Sequence, residues 1–172
     1  MKGELDKSFL QHINDNLGIA RKVSRVYCPD PDDREDLFQE MMYQLWKSYA
    51  NFDGLAKFST WMYRVCLNTA LTYRRKKEKE RNQPLSGAHD QIALHDEQTN
   101  DHAIAMLFDA IATLSPVNKA IVLLYLENMS YAEIASVTGM TTSNVSVRLV
   151  RIKKELERQL KDTLKSASHV NP

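Results

Sequence analysis

The sequence contains few residues that interrupt helices and no long hydrophobic run. Five glycines and five prolines among 172 residues argue against a turn-rich β fold. No run of about 18 apolar residues is present, which excludes a membrane-spanning helix. The start, MKGELDKSF, lacks the apolar core of a secretory signal. We therefore expect a folded cytoplasmic protein without membrane insertion.

Cysteine is also scarce, and no set of side chains suggests catalysis. Cys28 and Cys66 lie in apolar surroundings without metal-ligand spacing, which predicts buried thiols in a reducing compartment. His89, His95 and His102 are too widely spaced for a compact metal site. No nucleophile–base pair and no phosphate-cradling glycine loop is present. We expect no catalytic residue, metal, cofactor or small-molecule substrate.

Charge is balanced in total but strongly segregated. The net charge is +1, yet residues 71–81 hold six basic and two acidic residues, whereas residues 82–116 hold five acidic residues and no Lys or Arg. A second basic cluster occupies residues 117–172. Two basic clusters separated by an acidic segment indicate two contact sites for a polyanion. The segment 82–101, with Pro84 and Gly87, is predicted to be a flexible linker.

Apolar residues recur at helical spacing through most of the chain. The pattern predicts helices over residues 4–27, 34–50, 59–81, 102–114 and 117–128, before a further helical pair. Asp32 or Asp33 is expected to cap the second helix. Ser59 or Thr60 is expected to cap the third. The predicted fold is all-α, with two small helical domains joined by the linker.

The stretch SYAEIASVTGMTTSNVSVRLVRIKKEL predicts a helix-turn-helix. Ser130 and Glu133 have the spacing of a capping box. Gly139 falls where the chain must turn, a position that often needs positive φ. Thr141 or Thr142 can then cap the second helix of the pair. An ordinary surface helical hairpin is the simpler alternative.

The second helix of this pair has two distinct faces. Its apolar stripe consists of Val145, Leu149, Ile152 and Leu156. The other face begins with small polar residues and continues with cations, which suits base edges first and phosphates later. The predicted DNA-contacting residues are Thr142, Ser143, Asn144, Val147, Arg148, Arg151 and Lys154.

The N-terminal half combines acidic, aromatic and basic segments. Asp36, Gln39 and Glu40 lie on the polar side of the second helix, and chemistry alone favours a solvated acidic face. The following loop offers aromatics, an amide and a cation, which could hold an unstacked base or form a plain connector with two core aromatics. The basic end of the third helix continues a face with exposed aromatics, and this favours nucleic acid.

Taken in order, these stretches resemble a bacterial RNA polymerase sigma factor of the extracytoplasmic-function (ECF) group. Residues 33–54 resemble the region that docks on the polymerase clamp helices. Residues 57–79 resemble the strand-opening and minus-ten segment, and residues 114–156 resemble the region that reads the minus-thirty-five element. Ser146 is a departure, because many members carry Arg at that position.

The resemblance implies roles for individual residues. It implies that Asp36, Gln39 and Glu40 bind the core polymerase. It also implies a set of residues that bind the minus-ten DNA: Asn51, Phe52, Lys57, Phe58, Trp61, Arg64, Asn68, Tyr73, Arg74 and Arg75. It implies a region 2 domain at 1–81, a linker at 82–101 that threads toward the RNA exit channel, and a region 4 domain at 102–172.

The implied function is promoter recognition and strand opening as a dissociable subunit of RNA polymerase. The expected partners are promoter DNA, the clamp and flap elements of the core polymerase, and an anti-sigma factor. The alternative is a stand-alone helix-turn-helix regulator, which would bind a palindrome as a dimer with half-sites one helical turn apart.

Overall fold

Every regular element that the computed structural model describes, within residues 2–81 and 102–168, is a helix. The helices are α1 (Lys2–Tyr27), α2 (Pro31–Ser48), α3 (Phe58–Arg81), α4 (His102–Ala112), α5 (Pro116–Leu126), α6 (Tyr131–Thr138) and α7 (Thr142–Ser168), and a 3₁₀ turn at Tyr49–Asn51 follows α2. The chain divides into two compact units, Met1–Leu94 and His95–Pro172. The predicted all-α fold with two helical domains is confirmed. The proposed linker at 82–101, with His89 and His95, lies outside the described residues.

The N-terminal unit is a bundle in which α1, α2 and α3 pack against one another. Its fully buried side chains include Val23, Leu37, Met41, Leu45, Met62 and Cys66. Burial of each large apolar side chain stabilises the fold by roughly 1.5–3 kcal/mol. Cys28 and Cys66 are buried thiols, as predicted. Burial raises the pKa of the Cys66 thiol to about 12, so this thiol is protonated at neutral pH.

The second helix begins earlier than its apolar pattern predicts. Asp30, rather than Asp32 or Asp33, is the N-cap, and its carboxylate accepts hydrogen bonds from the Asp32 and Asp33 amides at 3.0 Å. Pro31 occupies the first helical position, where it needs no amide hydrogen and where its fixed φ suits a helix. The connection between α1 and α2 therefore contains a proline, Pro31, that starts the second helix.

The third helix also starts before its predicted cap. α3 begins at Phe58, and the Lys57 carbonyl accepts from the Trp61 amide at 3.1 Å. Ser59 and Thr60 thus lie inside the first turn, and the prediction that one of them caps the helix is wrong. The Phe58 and Trp61 rings pack at 5.3 Å, a contact that their i, i+3 spacing on one helical turn allows.

The C-terminal unit is built around α5, most of which is buried. Ser115 caps α5 by accepting from the Asn118 amide, and Pro116 takes the first helical position. Fully buried side chains come from each of its helices: Ile111, Ile121, Leu124, Ile134, Val145, Leu149 and Ile152. α7 contacts α4, α5 and α6. One face of α7 is thereby anchored along its first four turns, and the other face is left to solvent.

Two features are absent from the parts of the chain that the structure describes: a membrane-spanning helix and a cluster of metal-ligating side chains. No helix there is long and apolar enough to cross a bilayer. No group of three or more His, Cys, Asp or Glu side chains there is placed to hold a metal ion.

Candidate nucleic-acid interfaces

The acidic residues of α2 project from the bundle on the side opposite its buried stripe. Leu37, Met41 and Leu45 are buried, whereas Asp36 and Glu40 are exposed. Glu40 accepts a hydrogen bond from the Gln44 amide nitrogen at 2.8 Å. No cation among the described residues pairs with Asp36 or Glu40, so both negative charges are available to a partner.

The face around these acids is broad and mixed in character. Gln39 is exposed and donates to the Glu35 carboxylate at 3.3 Å. Tyr43 and Trp46 follow on the same helix with exposed fractions of 56% and 46%. Exposed aromatic rings are more frequent in protein–protein interfaces than on the rest of a protein surface, so these two rings favour a partner surface here.

An aromatic cluster supports the loop between α2 and α3. It consists of Phe9, His12, Tyr49, Phe52, Phe58 and Trp61. Phe52, Phe58 and Trp61 contact one another with ring centroids 5.3–5.5 Å apart. Each of these three rings is half-buried against the others, so the rings are neither fully exposed nor fully enclosed in the core. The loop aromatics therefore serve as a packed wall with one accessible side.

Three members of the aromatic cluster, Phe9, His12 and Tyr49, were not predicted as site residues. The His12 ring stacks on Phe58 at 4.8 Å with an interplanar angle of 19°. Its Nδ1 atom is 2.9 Å from the Tyr49 hydroxyl, which also forms a 2.9 Å hydrogen bond with the Ser8 hydroxyl. α1 thus braces the loop from behind. The apolar pattern of the second helix includes Tyr49 and could have pointed to it, whereas no sequence pattern marks His12.

The polar residues of the loop lie outside the aromatic cluster. Asn51 and Lys57 are exposed. Between them Asp53 accepts from the Leu55 amide at 3.0 Å, and Gly54 has a φ of 72°. The Leu55 side chain is 90% exposed. A tight turn therefore presents an amide, a cation and an apolar side chain around the accessible side of the aromatic wall.

The exposed side of α3 continues from this loop towards the basic end of the helix. Arg64 and Asn68 are exposed, whereas Met62, Cys66 and Ala70 of the same helix are buried. Trp61 begins this side at the loop. The structure therefore places Trp61, Arg64 and Asn68 on one continuous surface.

The basic end of α3 is partly neutralised within the unit. Arg74 pairs with Glu78 at 2.9 Å, and Lys77 pairs with Asp33 of α2 at 2.7 Å. Arg75 donates from Nε to the Leu71 carbonyl at 3.3 Å and remains exposed. The charge offered to a polyanion is accordingly smaller than the count of cations suggests.

Tyr73 lies between these charges. Its hydroxyl donates to the Asp33 carboxylate at 3.4 Å, and the Lys77 ammonium lies 5.6 Å from its ring centre. Burial, and after it the negative charge of Asp33, raise the pKa of Tyr73 to about 12. The hydrogen bond to Asp33 is the main cause that raises the pKa of Lys77. Tyr73 and Lys77 are therefore protonated throughout the neutral range.

In the C-terminal unit the helix-turn-helix forms as predicted. Ser130 and Glu133 make a reciprocal capping box at the start of α6, with a 2.8 Å bond from the Ser130 amide to the Glu133 carboxylate. Gly139 ends α6 with a φ of 71°. Thr141, rather than Thr142, caps α7 by accepting from the Asn144 amide at 3.2 Å.

α7 presents the predicted face to solvent. Val145, Leu149, Ile152 and Leu156 are buried. The opposite face is exposed at Thr142, Ser143, Asn144, Val147, Arg151 and Lys154. Arg148 differs, since its guanidinium donates to Asn144 at 3.2 Å and to Asn118 of α5 at 3.1 Å. The structure therefore gives Arg148 two partners within the unit.

Comparison with known proteins identifies both units. The Sigma-70 region 2 family model matches residues 9–80, and the Sigma-70 region 4 family model matches residues 104–156. The chain is 28% identical to the RNA polymerase sigma-H factor of Pseudomonas aeruginosa, over 96% of this chain and 91% of that protein. It is 26% identical to the ECF RNA polymerase sigma-E factor of Escherichia coli, over 86% and 83% respectively.

Solved structures share the same fold. The sigma factor RpoE from Bartonella quintana, in complex with the anti-sigma factor NepR, matches with a TM-score of 0.77 and 22% identity, covering 90% of this chain and 98% of that one. CnrH, in complex with the cytosolic domain of CnrY, matches with a TM-score of 0.63 and 20% identity, covering 91% and 90%.

The two family models together cover more than half of the chain and account for both units. A stand-alone helix-turn-helix regulator would explain the C-terminal unit alone, so that alternative is not favoured. Both matched families are sigma-70 regions, and the matched relatives are sigma factors that align with most of this chain, so the chain belongs to the ECF group of bacterial RNA polymerase sigma factors.

Proposed function

We propose that this chain binds core RNA polymerase through α2, reads promoter DNA at two elements and traps the opened strand. The observation that carries the proposal is the presence of two separate exposed faces, one on each matched unit. The chain performs no catalysis itself, because the polymerase core supplies the chemistry. Its place of action is the cytoplasm.

The acidic face of α2 is the proposed contact for the polymerase clamp. Asp36 and Glu40 are exposed and unpaired by any described cation, and Gln39 lies beside them. Opposite charges across an interface steer the encounter and fix its register. Tyr43 and Trp46 would supply the apolar area that such an interface also needs.

The loop and the exposed side of α3 are the proposed minus-ten site. Extruding a base costs a few kcal/mol, and stacking on an aromatic ring returns about 1–3 kcal/mol. Phe52, Phe58 and Trp61 form a wall whose rings are already held by packing, so little ordering is needed on binding. The site also includes Asn51, Lys57, Arg64, Asn68, Tyr73, Arg74 and Arg75.

The exposed face of α7 is the proposed minus-thirty-five site. Its first turn carries small polar residues, and Arg151 and Lys154 follow about two and three turns later. The early residues would reach base edges in the major groove, while the later cations would neutralise phosphates. Tethering this contact to the minus-ten contact raises the effective concentration of each.

An anti-sigma factor is the proposed regulator. RpoE, one of the structures that match this fold, is bound to the anti-sigma factor NepR. A partner that covers the α2 face or the α7 face would block association with polymerase or with DNA. This chain would then stay inactive until that partner is removed.

Run-off transcription with purified core polymerase and genomic promoter fragments tests the proposal. We expect specific initiation that depends on adding this chain. Absence of stimulated, start-site-specific transcripts across the fragments would overturn it. A protein that bound the same fragments as a dimer without polymerase would instead support the regulator alternative.

A further inference from the structure

Arg148 forms a bridge between two asparagine side chains on different helices. Its Nε atom donates to Oδ1 of Asn144 at 3.2 Å, and its Nη1 atom donates to Oδ1 of Asn118 at 3.1 Å. Asn144 lies one helical turn before Arg148 on α7, whereas Asn118 lies on α5 and is 30 residues away in sequence. The guanidinium therefore links α7 to α5, which is mostly buried.

This bridge sets the orientation of the Asn144 amide. A guanidinium offers only donors, so each asparagine must turn its oxygen towards Arg148 and its NH₂ group away. Asn144 is exposed in the first turn of α7. No acceptor among the described residues takes a hydrogen bond from its amide nitrogen. Asn144 thus presents a pre-oriented pair of donors to solvent.

Asn118 is itself firmly placed. It lies in the first turn of α5, and its backbone amide donates to the capping Ser115 hydroxyl at 3.4 Å. α5 continues into the core with Ile121 and Leu124 fully buried. An acceptor on such a rigid element fixes the guanidinium with little loss of side-chain entropy on DNA binding.

We propose that Asn118 is a positioning residue for promoter specificity. Through Arg148 it holds the Asn144 NH₂ group towards DNA, so that Asn144 selects a base with acceptors on its major-groove edge. This inference rests on the proposed binding of α7 to DNA. Guanine presents two acceptors there, N7 and O6, whereas cytosine presents only a donor.

The bridge also acts against adenine. Bidentate recognition of adenine by an asparagine needs both the amide oxygen and the NH₂ group. In this protein the oxygen of Asn144 is directed to Arg148. Asn144 therefore favours guanine over adenine at the base it faces, which reverses the usual pairing of this side chain.

The test uses the full chain with core polymerase and a promoter library randomised at the upstream element. We expect selection of guanine over adenine at one position by about fivefold, the size of a single good hydrogen bond. Asn118→Ala should bring that ratio close to one at this position alone. Asn118→Asp should retain the preference, because a carboxylate oxygen accepts the same bond. Asn144→Asp should abolish it, because the donors are lost.

The outcomes separate this inference from the function on which it rests. If the wild-type complex selected no upstream sequence, α7 would not read DNA and both would fail. If it selected sequences that Asn118→Ala left unchanged at every position, the positioning role alone would be overturned. Thermal unfolding of each variant shows whether the fold is intact. If Asn118→Ala does not fold, Asn118→Asp and Asn144→Asp still decide, since equal preferences in those two would contradict the inference.

Discussion

At the scale of single residues, Asp33 controls the charge at the end of α3. Its carboxylate pairs with Lys77 and accepts from Tyr73, so that α2 withdraws one cation from the proposed DNA surface. Both Asp33 and Lys77 remain more than a third exposed, and solvent therefore weakens the pair. The effect of Asp33 on the titration of Tyr73 is therefore easier to measure than its effect on the free energy of unfolding.

Asp33→Asn should lower the pKa of Tyr73 from about 12 towards the ordinary value of 10.0. The return should be partial, because burial is the larger cause of the shift. Absorbance of tyrosinate measures this change, with Tyr73→Phe as the subtraction that isolates one of seven tyrosines. Asp32→Asn is the control, since Asp32 is exposed and does not contact Tyr73. Equal titration curves for the two Asn variants would contradict the assignment.

The same pair predicts how stability depends on alkaline pH. The pKa values of Tyr73 and Lys77 are raised in the folded state, so their stabilising contribution is complete below the unfolded values near 10. It is lost as the pH rises through the folded value of Tyr73, about 12. Denaturant unfolding between these pH values should show a steeper fall for wild type than for Asp33→Asn. Parallel curves would show that Asp33 does not couple to either group.

At the scale of elements, Gly139 determines how α6 gives way to α7. Its positive φ places it in the left-handed region, which a side chain disfavours, although a Cβ there would meet no atom within 4 Å. Gly139→Ala should therefore destabilise the C-terminal unit by about 1 kcal/mol through backbone strain alone. Gly139→Asn should cost less, because asparagine tolerates this conformation.

Gly18→Ala provides the matched control. Gly18 is an exposed residue within α1, where an added Cβ also meets no atom within 4 Å. The same substitution should stabilise that unit by about 0.5–1 kcal/mol, because the helix conformation suits alanine. Denaturant unfolding measures both variants. If Gly18→Ala lowered the free energy of unfolding, or if Gly139→Ala left it unchanged, the backbone φ would not determine the sign of the stability change.

Element boundaries show how far the sequence determines local structure. The capping box of α6 and the glycine at its end were predicted correctly, because both depend on residues within three or four positions. The starts of α2 and α3 were misplaced. Asp30 and Pro31 form a cap that an apolar pattern does not reveal, and Phe58 joins α3 through contacts with the aromatic cluster.

At the scale of the whole molecule, the two units have separate cores and separate proposed tasks. Asp36 and Glu40 changed together to Lys should weaken binding to core polymerase, because two attractive charges become repulsive. Binding measured by competition with labelled wild-type chain reports this loss. The control is the same pair of reversals at Asp15 and Glu80, which are exposed acids elsewhere in the unit. Unchanged core affinity in the α2 variant would overturn the clamp assignment.

Arg151→Ala should produce the complementary defect. As a phosphate contact, Arg151 should contribute affinity on all sequences, and its loss should reduce the salt slope of promoter binding by about 1. Core binding should stay at the wild-type level, because Arg151 belongs to the other unit. A changed base preference with an unchanged salt slope would count against a phosphate contact.

The amino-acid sequence by itself determined the helical fold, the two-domain plan and the family. Helical periodicity, capping residues and segregated charge are local properties, and each can be recognised without knowing what lies across the core. The polar face of α2 and the exposed face of α7 follow from the same periodicity, since the buried stripe of a helix defines its opposite side.

Only the tertiary structure decided which side chains act together. His12 reaches Tyr49 across 37 positions, Lys77 meets Asp33 of another helix, and Arg148 reaches Asn118 across 30. These partners meet because helix packing brings distant positions to within about 3 Å, and hydrogen bonds require that proximity. The packing gives Arg148, a predicted DNA contact, two hydrogen-bond partners within its own unit, and the proposed positioning of Asn144 rests on them.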